Sequence, residues 1–333
     1  MFSIDVIVEG LGKWCDVILV FAVAFCFYLP NIWISTIVLL TLLAIRAFYS
    51  YNEWYKRPKN RLLYKIGDSD VALVTGGSHG LGLELVKQLL VQGVSRVYVI
   101  DVSAPEVDDP RVFYYSCDVG QEADLKRTIA TIIRTLTDEN KNISILINNA
   151  GVRNNGALLH ISDKKIHDIF NINTFSQIWI LRAVLSHHID NILPKNPSKR
   201  LSVVSLSSVL GSLAPKNLSV YSATKAAIYS IHESLIQEVS HLPQIRILLV
   251  APGQLTTTMF SDVKPSKAFL APLVDHSDLA RRIVDKIDTG DTGVVAYPFY
   301  ANFLPAIRVL PMSIQQMCRW FSEMDEKVGD DKS

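Results

Sequence analysis

The sequence has no excess of either charge, few cysteines and no cluster of metal ligands. Lys and Arg total 33 against 32 for Asp and Glu, so no chain-wide positive field is available to hold a nucleic acid. Of the four cysteines, Cys15 and Cys26 lie in or beside an apolar stretch, and Cys117 and Cys318 stand alone without metal-ligand spacing. This pattern argues against a nucleic-acid partner, a disulfide scaffold and a metal site.

One segment is apolar enough for lipid. Residues 17–45 contain no Asp, Glu, Lys, Arg or His, and a helix of that length exceeds a hydrocarbon layer of ~30 Å. Pro30 and Asn31 divide the segment into halves too short to span alone, which predicts either one kinked, tilted span or a shallow hairpin in one leaflet. A cleaved signal peptide is the competing interpretation, but the apolar run is too long for one.

The two flanks of this segment differ in charge. Asp5, Glu9 and Asp16 precede it, whereas residues 46–65 are strongly basic. The positive-inside bias therefore predicts that everything after residue 46 faces the cytosol. The basic residues either touch anionic head groups or form a solvated linker.

The remaining residues 66–333 alternate short β-branched runs with longer helical patterns, which predicts a Rossmann-type doubly wound α/β fold with a seven-stranded parallel sheet. The predicted strands are Val71–Val74, Arg96–Ile100, Phe113–Cys117, Ile143–Ile147, Leu201–Leu206, Ile245–Val250 and Val294–Tyr297. The predicted helices are Gly82–Gln92, Ala123–Leu136, Lys164–Ile189, Tyr221–Ser240 and Ser277–Ile287. Two prolines predict a loop over Val102–Arg111.

A glycine-rich turn, TGGSHGLG from Thr75 to Gly82, follows the first strand and opens a helix. Such a turn brings backbone N–H groups and a helix N-terminus against a pyrophosphate, although glycines also serve simple turns. Asp101 ends the second strand 19 residues beyond Gly82, where a carboxylate accepts hydrogen bonds from ribose hydroxyls and repels a 2′-phosphate. This favours NAD over NADP, the alternative being that Asp101 is a turn residue.

Together with later motifs, this turn resembles the short-chain dehydrogenase/reductase family. The motifs are the glycine-rich turn, Asp118-Val119, Asn148-Asn149-Ala150-Gly151, Ser208, Tyr221-x-x-x-Lys225 and Pro252-Gly253, in the family's order over about residues 68–260. Ser208 stands 13 residues before Tyr221, as in the family, and this spacing selects it over Ser207. Within the family, the chain looks most like membrane-anchored retinol and hydroxysteroid dehydrogenases.

Tyr221 and Lys225 are one helical turn apart and share a helix face. A fixed ammonium lowers the energy of a phenolate, so Tyr221 is expected to take a proton from a substrate hydroxyl or return it. On a surface helix the same spacing would be structural. By resemblance, Lys225 also holds the nicotinamide ribose, Ser208 bonds the reacting oxygen and Asn173 supports a water relay.

The resemblance also assigns the cofactor contacts. They are Gly76, Ser78, His79, Gly80, Leu81, Gly82, Asp101, Asp118, Val119, Asn149, Ala150, Gly151, Tyr221, Lys225, Pro252, Gly253, Leu255 and Thr257. Asn148 is expected to tie strands together through its amide. Arg153 and Asn154 lie near the cofactor edge, and no role follows for them from the sequence.

Two later segments bear on the substrate. Residues 256–273 are the stretch that closes over substrate in this family, and Met259, Phe260, Phe269 and Leu270 would give it an apolar inner face. An ordinary loop anchored by its aromatics is the alternative. Residues 297–321 are apolar but broken by prolines, which indicates a surface-seeking or lid segment, or an arm packed on the domain. The acidic end from Glu323 is expected to be solvated.

The sequence thus predicts a membrane anchor (residues 1–45), a basic linker (46–65), a catalytic domain (66–297) and a C-terminal arm with an acidic tail (298–333). The expected activity is NAD(H)-dependent interconversion of a lipophilic alcohol and its ketone or aldehyde, of retinoid, steroid or fatty-acyl type. The expected location is the cytosolic face of the endoplasmic reticulum or a lipid droplet, as a homodimer or homotetramer. The alternatives are an NADPH-dependent lipid-biosynthetic ketone reductase, which leaves NADP possible, and a non-catalytic NAD-binding scaffold.

Overall fold

Seven short strands form one parallel sheet in the computed structural model, which describes residues 3–6, 32–58, 64–264 and 267–328. The strands are β1 Val71–Thr75, β2 Arg96–Asp101, β3 Val112–Ser116, β4 Ile145–Asn148, β5 Leu201–Leu206, β6 Ile245–Pro252 and β7 Gly293–Tyr297. Their order across the sheet is β3-β2-β1-β4-β5-β6-β7. The predicted Rossmann-type fold and its seven strands are confirmed, with ends that shift by at most two residues.

The principal helices are α1 Ile32–Lys56, α2 Gly80–Val91, α3 Glu122–Asp138, α4 Asp163–Phe170, α5 Ser176–His187, α6 Ser219–Glu238, α7 His276–Thr289, α8 Leu304–Ile307, α9 Met312–Ser322 and α10 Met324–Lys327. Helices pack on both faces of the sheet and bury its strands in two apolar layers. One layer contains α2 and α7, and the other contains α3, α5 and α6. Between β2 and β3 the chain forms no helix, as predicted.

The long helix predicted over 164–189 is interrupted. A π-helical turn, Asn171–Phe175, separates α4 from α5, and a second one, His188–Ile192, follows α5. The flanking residues keep helical φ and ψ angles, so the stretch stays helical through both turns, and the prediction of one long helix did not distinguish them from α-helical turns. The first turn carries the buried Asn173.

The strand order reverses between β1 and β4, each of which continues into a loop at the carboxyl edge of the sheet. In open parallel sheets, the crevice at such a switch point is where ligands bind. The glycine-rich turn after β1 and the Asn149–Gly151 turn after β4 meet there. The fold therefore predicts one site at this edge.

The helix α1 is exposed and apolar. Within Trp33–Lys56, an 18-residue stretch has a mean hydropathy of 1.6 and is only 6% buried, so by length and composition this helix could cross a membrane. The predicted break at Pro30-Asn31 lies outside the described residues. The basic linker is partly docked, because Arg57 pairs with Asp291 at 3.8 Å and the Lys56 carbonyl accepts a hydrogen bond from Arg246 at 2.7 Å.

The expectation that the acidic end is solvated is wrong for its described part. Asp325 accepts a hydrogen bond from the backbone N–H of Lys216 at 2.8 Å and pairs with Arg319. Val328 is buried, and its carbonyl accepts a hydrogen bond from Asn217 at 3.0 Å. Ionic and apolar contacts together hold this end against the domain.

Candidate active site

The glycine-rich turn is closely packed against the loop after β4. Gly76 has φ +64°, and a Cβ there would lie 2.8 Å from the Ala150 Cα. A Cβ on Gly82 would lie 1.9 Å from the Gly76 carbonyl oxygen. No side chain caps α2, so its first N–H groups stay available to an anion. This cradle fits the pyrophosphate of a dinucleotide.

Asp101 lines the cavity at the end of β2. Its carboxylate accepts hydrogen bonds from the backbone N–H groups of Ser78 at 3.0 Å and Val102 at 2.7 Å, which fixes its orientation. The Ser78 side chain is buried and donates its hydroxyl to the Ser103 carbonyl, so it does not line the cavity. Ser78 therefore serves the site through the turn that it stabilises.

The expected strand-tying role of Asn148 is wrong. Its side chain is fully buried, and neither amide atom has a hydrogen-bond partner. The neighbouring Asn149 ties the strands instead, because its amide donates to the carbonyl oxygens of Thr75 at 3.2 Å and Gly76 at 2.9 Å. Adjacent identical residues on a strand end point in opposite directions, and the sequence alone does not say which one faces the neighbouring turn.

Tyr221 and Lys225 lie on the buried face of α6 and both line the cavity. The Lys225 Nζ is 5.7 Å from the centroid of the Tyr221 ring and donates a hydrogen bond to the Leu206 carbonyl at 2.8 Å. Ser208 lies close enough for a hydrogen bond to Tyr221. Ser207 also lines the cavity, but its hydroxyl donates to the Lys225 carbonyl at 2.8 Å.

Burial dominates the ionisation of this pair. It raises the pKa of Tyr221 to about 12, against smaller lowering effects from Ser208 and Arg153. It lowers the pKa of Lys225 to about 8. In the protein alone, the net effect on the tyrosine pKa is therefore a rise and not the expected fall, because desolvation is the largest cause. Tyr221 keeps its proton at neutral pH and is ready to donate it.

Asn173 is fully buried and lies outside the cavity wall. Its Oδ1 accepts a hydrogen bond from the Val152 N–H at 2.8 Å, and its Nδ2 donates to Thr224 at 3.0 Å. A Cβ on Gly151 would lie 3.3 Å from the Asn173 Oδ1 and 3.5 Å from the Lys225 Nζ. The π turn thus brings Asn173 beside Lys225.

These groups surround one cavity of about 640 Å³. The predicted residues that line it are Gly76, His79, Gly80, Leu81, Asp101, Asp118, Val119, Asn149, Ala150, Gly151, Ser208, Tyr221, Lys225, Pro252, Gly253, Leu255 and Thr257. Ser78, Gly82 and Asn173 lie behind its wall. Within the described parts of the chain, no group of three or more His, Cys, Asp or Glu side chains is placed to hold a metal ion.

The far end of the cavity is apolar, and much of its wall comes from segments whose role the sequence left open. Met259, Phe260 and Leu270 line it, whereas Phe269 does not. The C-terminal arm also contributes to the wall, and its apolar or aromatic lining residues are Tyr300, Leu304, Ile307, Phe321, Met324 and Val328. The arm is therefore packed on the domain as a wall of the cavity.

Asn154 and the amino end of the chain make contacts that were not predicted from the sequence. The buried Asn154 accepts a hydrogen bond from the Tyr221 N–H at 2.9 Å and so holds the first turn of α6. Asp5 is also buried, and it accepts a hydrogen bond from the Phe299 N–H at 2.6 Å, directly after β7. The Ile4 N–H donates to the Phe269 carbonyl at 3.0 Å.

Comparison with known proteins agrees with this geometry. A family model described as short chain dehydrogenase matches residues 70–268. The chain is 34% identical over 300 residues to a Saccharomyces cerevisiae protein described as uncharacterized oxidoreductase TDA5, covering 87% of each chain. It is 28% identical over 230 residues to the Mus musculus protein called epidermal retinol dehydrogenase 2, covering 66% of this chain and 71% of that protein.

A solved structure of a short chain dehydrogenase from Burkholderia cenocepacia, in complex with NADP, has the same fold. The TM-score is 0.60 at 23% identity, and the match covers 76% of this chain and 98% of that one.

Proposed function

Since the chain belongs to the short-chain dehydrogenase family, and is thus an NAD(P)-dependent oxidoreductase acting on CH–OH groups, we propose that it interconverts a lipophilic alcohol and its ketone or aldehyde at a membrane surface, with NAD as the preferred cofactor. One observation carries the proposal. A single cavity has the glycine-rich turn and Asp101 at one end, Tyr221 on its wall, and an apolar chamber at the other end.

The residues present fit a nicotinamide dinucleotide. We assign the pyrophosphate to the N-terminus of α2 and the ribose hydroxyls to Asp101. Asp118 and Val119 are assigned to the adenine side, and Leu255 and Thr257 to the carboxamide side. When bound, the nicotinamide supplies the hydride acceptor or donor.

Tyr221 is the proposed acid and base. In reduction it gives its phenolic proton to the oxygen of the ketone, and in oxidation its phenolate takes the proton of the hydroxyl. Ser208 is proposed to hold the reacting oxygen by a hydrogen bond. Lys225 stays a cation below a pH of about 8, the pKa to which burial lowers it, and its charge favours the phenolate. Asn173, next to Lys225, is proposed to support its reprotonation.

The chamber supports a lipophilic substrate. Its walls carry Leu210, Leu213, Met259 and the apolar side chains of the arm. A chamber of this kind favours substrates with more buried hydrocarbon, because each buried CH₂ group contributes about 0.8 kcal/mol to the free energy of binding. Retinoid, steroid and fatty-acyl compounds meet this requirement, and the name of the mouse relative points the same way.

We predict that kcat/KM for a series of 2-alkanols, oxidised with NAD by the full chain in detergent, rises about 4-fold for each added CH₂ until the chamber is full. Cofactor absorbance follows the reaction. Leu304→Gln, which alters the chamber wall, should flatten the series, whereas Val91→Gln, at an exposed side chain on α2, should not. A preference for short or strongly polar alcohols would contradict a lipophilic substrate.

The contacts at both ends of the apolar segment support a hairpin anchor. Asp5 contacts the arm at the carboxyl edge of the sheet, and Lys56 contacts Arg246 at the amino edge. Because both ends touch the same catalytic domain, we propose that they lie on one side of the bilayer. The arm adds an exposed apolar surface, in which Val309, Met312 and Trp320 are each more than 70% exposed.

We therefore place residues 1–45 and this surface against the cytosolic leaflet of the endoplasmic reticulum or a lipid droplet, with the catalytic domain in the cytosol. The test uses microsomes and a variant in which Ser3→Cys is the only cysteine. Because Ser3 is buried, a mild denaturant is added to expose it. The cysteine should then react with a membrane-impermeant maleimide without any detergent. Asp108→Cys, in an exposed loop of the catalytic domain, serves as the cytosolic control. Labelling of Ser3→Cys only after the membrane is dissolved would contradict the hairpin and indicate a single span.

A further inference from the structure

Arg153, on the loop after β4, makes two contacts with residues 256–273, the substrate loop, and one of these leads on to Tyr221. Its Nη2 pairs with Asp262 at 2.5 Å. Its guanidinium lies 4.7 Å above the centroid of the Phe260 ring. The Phe260 ring meets the Tyr221 ring edge to face, 5.8 Å away. Arg153 thus connects the loop after β4, the substrate loop and Tyr221.

The guanidinium is shielded from water, since its side chain is 14% exposed and the Asp262 side chain 45%. An ion pair with one buried partner is worth more than a fully exposed one, and a cation over an aromatic face adds to it. Gln254 also bonds this stretch, because its side-chain amide donates to the Phe260 and Val263 carbonyls. Arg153 adds an ionic link between residues 260–262 and the loop after β4.

The same positive charge acts on Tyr221. It lowers the pKa of the phenol, against the larger raising effect of burial. Asp262 faces Arg153 but does not line the cavity. The other polar or titratable groups that line this part of the cavity are Ser208, Lys225, Gln254, Thr258, Lys267, Tyr300, Cys318, Ser322 and Lys327. Lys267 pairs with Glu323 at 3.2 Å, and Lys327 pairs with the same carboxylate at 3.6 Å, so neither is placed to replace Arg153.

We propose that Arg153 is a positioning residue that latches the substrate loop through Asp262 and Phe260, and so holds Phe260 over Tyr221 while a lipophilic substrate occupies the chamber. This deepens the proposed function and rests on it for the identity of the substrate. The latch and the charge are two separable actions of one side chain. Substitutions of the two ion-pair partners distinguish them.

The latch is tested by trypsin. Lys267 lies in the loop, whereas Lys264 precedes a proline and resists cleavage. In the full chain with NADH bound, Arg153→Met and Asp262→Asn should each speed cleavage after Lys267 by roughly 5- to 30-fold, because cleavage follows the open population. Arg281→Met, which breaks an exposed pair with Asp278 on α7, should leave that rate unchanged. An unchanged rate in both latch variants would overturn the proposal.

The charge is tested by the pH dependence of 2-alkanol oxidation. Arg153→Met should shift the rise in kcat to higher pH because the pKa of Tyr221 increases, whereas Arg153→Lys should restore it toward wild type. Asp262→Asn should raise KM without that shift. A fall in kcat with the same pH profile in all variants would reduce Arg153 to a structural residue. If wild type oxidises no 2-alkanol but the cleavage rates change as expected, the substrate class fails and the latch stands.

Discussion

Replacement of Tyr221 by Phe is expected to lower kcat by about 10²- to 10⁴-fold, the usual contribution of a positioned acid or base. The substitution removes one oxygen atom and leaves the ring that packs against Phe260. Affinity for NADH should stay within a few-fold of wild type, since the cofactor contacts lie mainly on other elements. Steady-state turnover and a fluorescence titration with NADH measure the two quantities separately.

Tyr229→Phe is the matched control. Tyr229 lies two turns further along α6, where its hydroxyl meets Ser212 outside the cavity wall. It should keep near wild-type turnover. If Tyr221→Phe turned over at the same rate as an active wild type, the assignment of Tyr221 as acid and base would be wrong. If wild type itself showed no turnover, the non-catalytic NAD-binding scaffold would gain support.

Replacement of Asp101 by Asn is expected to weaken NADH binding by about 10- to 100-fold, because a hydrogen bond to a charged group is worth about 1.5–3 kcal/mol. The amide keeps the shape of the carboxylate and one oxygen for the Ser78 N–H. It also removes the charge that opposes a 2′-phosphate. The ratio of kcat/KM for NADPH to that for NADH should therefore rise.

Asp108→Asn, an exposed residue of the loop between β2 and β3, is the control and should leave this ratio unchanged. A wild-type protein that already prefers NADPH would contradict the role given to Asp101. It would favour the alternative of a biosynthetic ketone reductase.

The parallel sheet could be predicted from the sequence because both faces of its strands are buried. In β1 and β5 every residue is buried, which yields the short continuous apolar runs from which the strands were predicted. The glycine-rich turn was accessible for a similar reason, since Gly76 and Gly82 leave no room for a Cβ. Both features depend on residues that are neighbours in the sequence, so the sequence alone was enough to predict them.

Contacts between segments that are distant in the sequence could not be predicted. Arg153 and Asp262 are 109 residues apart, and Asp5 and Phe299 are 294 apart. No periodicity or motif encodes such pairs. The wall built by the C-terminal arm is of the same kind, because Leu304 and Phe321 read only as apolar residues until the fold places them against the cavity. The sequence also did not reveal that burial raises the pKa of Tyr221 by more than Ser208 and Arg153 lower it, because burial has no local sequence signal.

The central claim is hydride transfer to a substrate held beside Tyr221. It is tested most directly by incubating the full chain with NADH that carries deuterium at both C4 positions of the nicotinamide, together with a long-chain 2-alkanone. With wild type, mass spectrometry should show an alcohol product that carries one deuterium on its carbinol carbon. With Tyr221→Phe, this product should no longer form. An alcohol product without deuterium, or no product from a protein that binds NADH, would contradict the account.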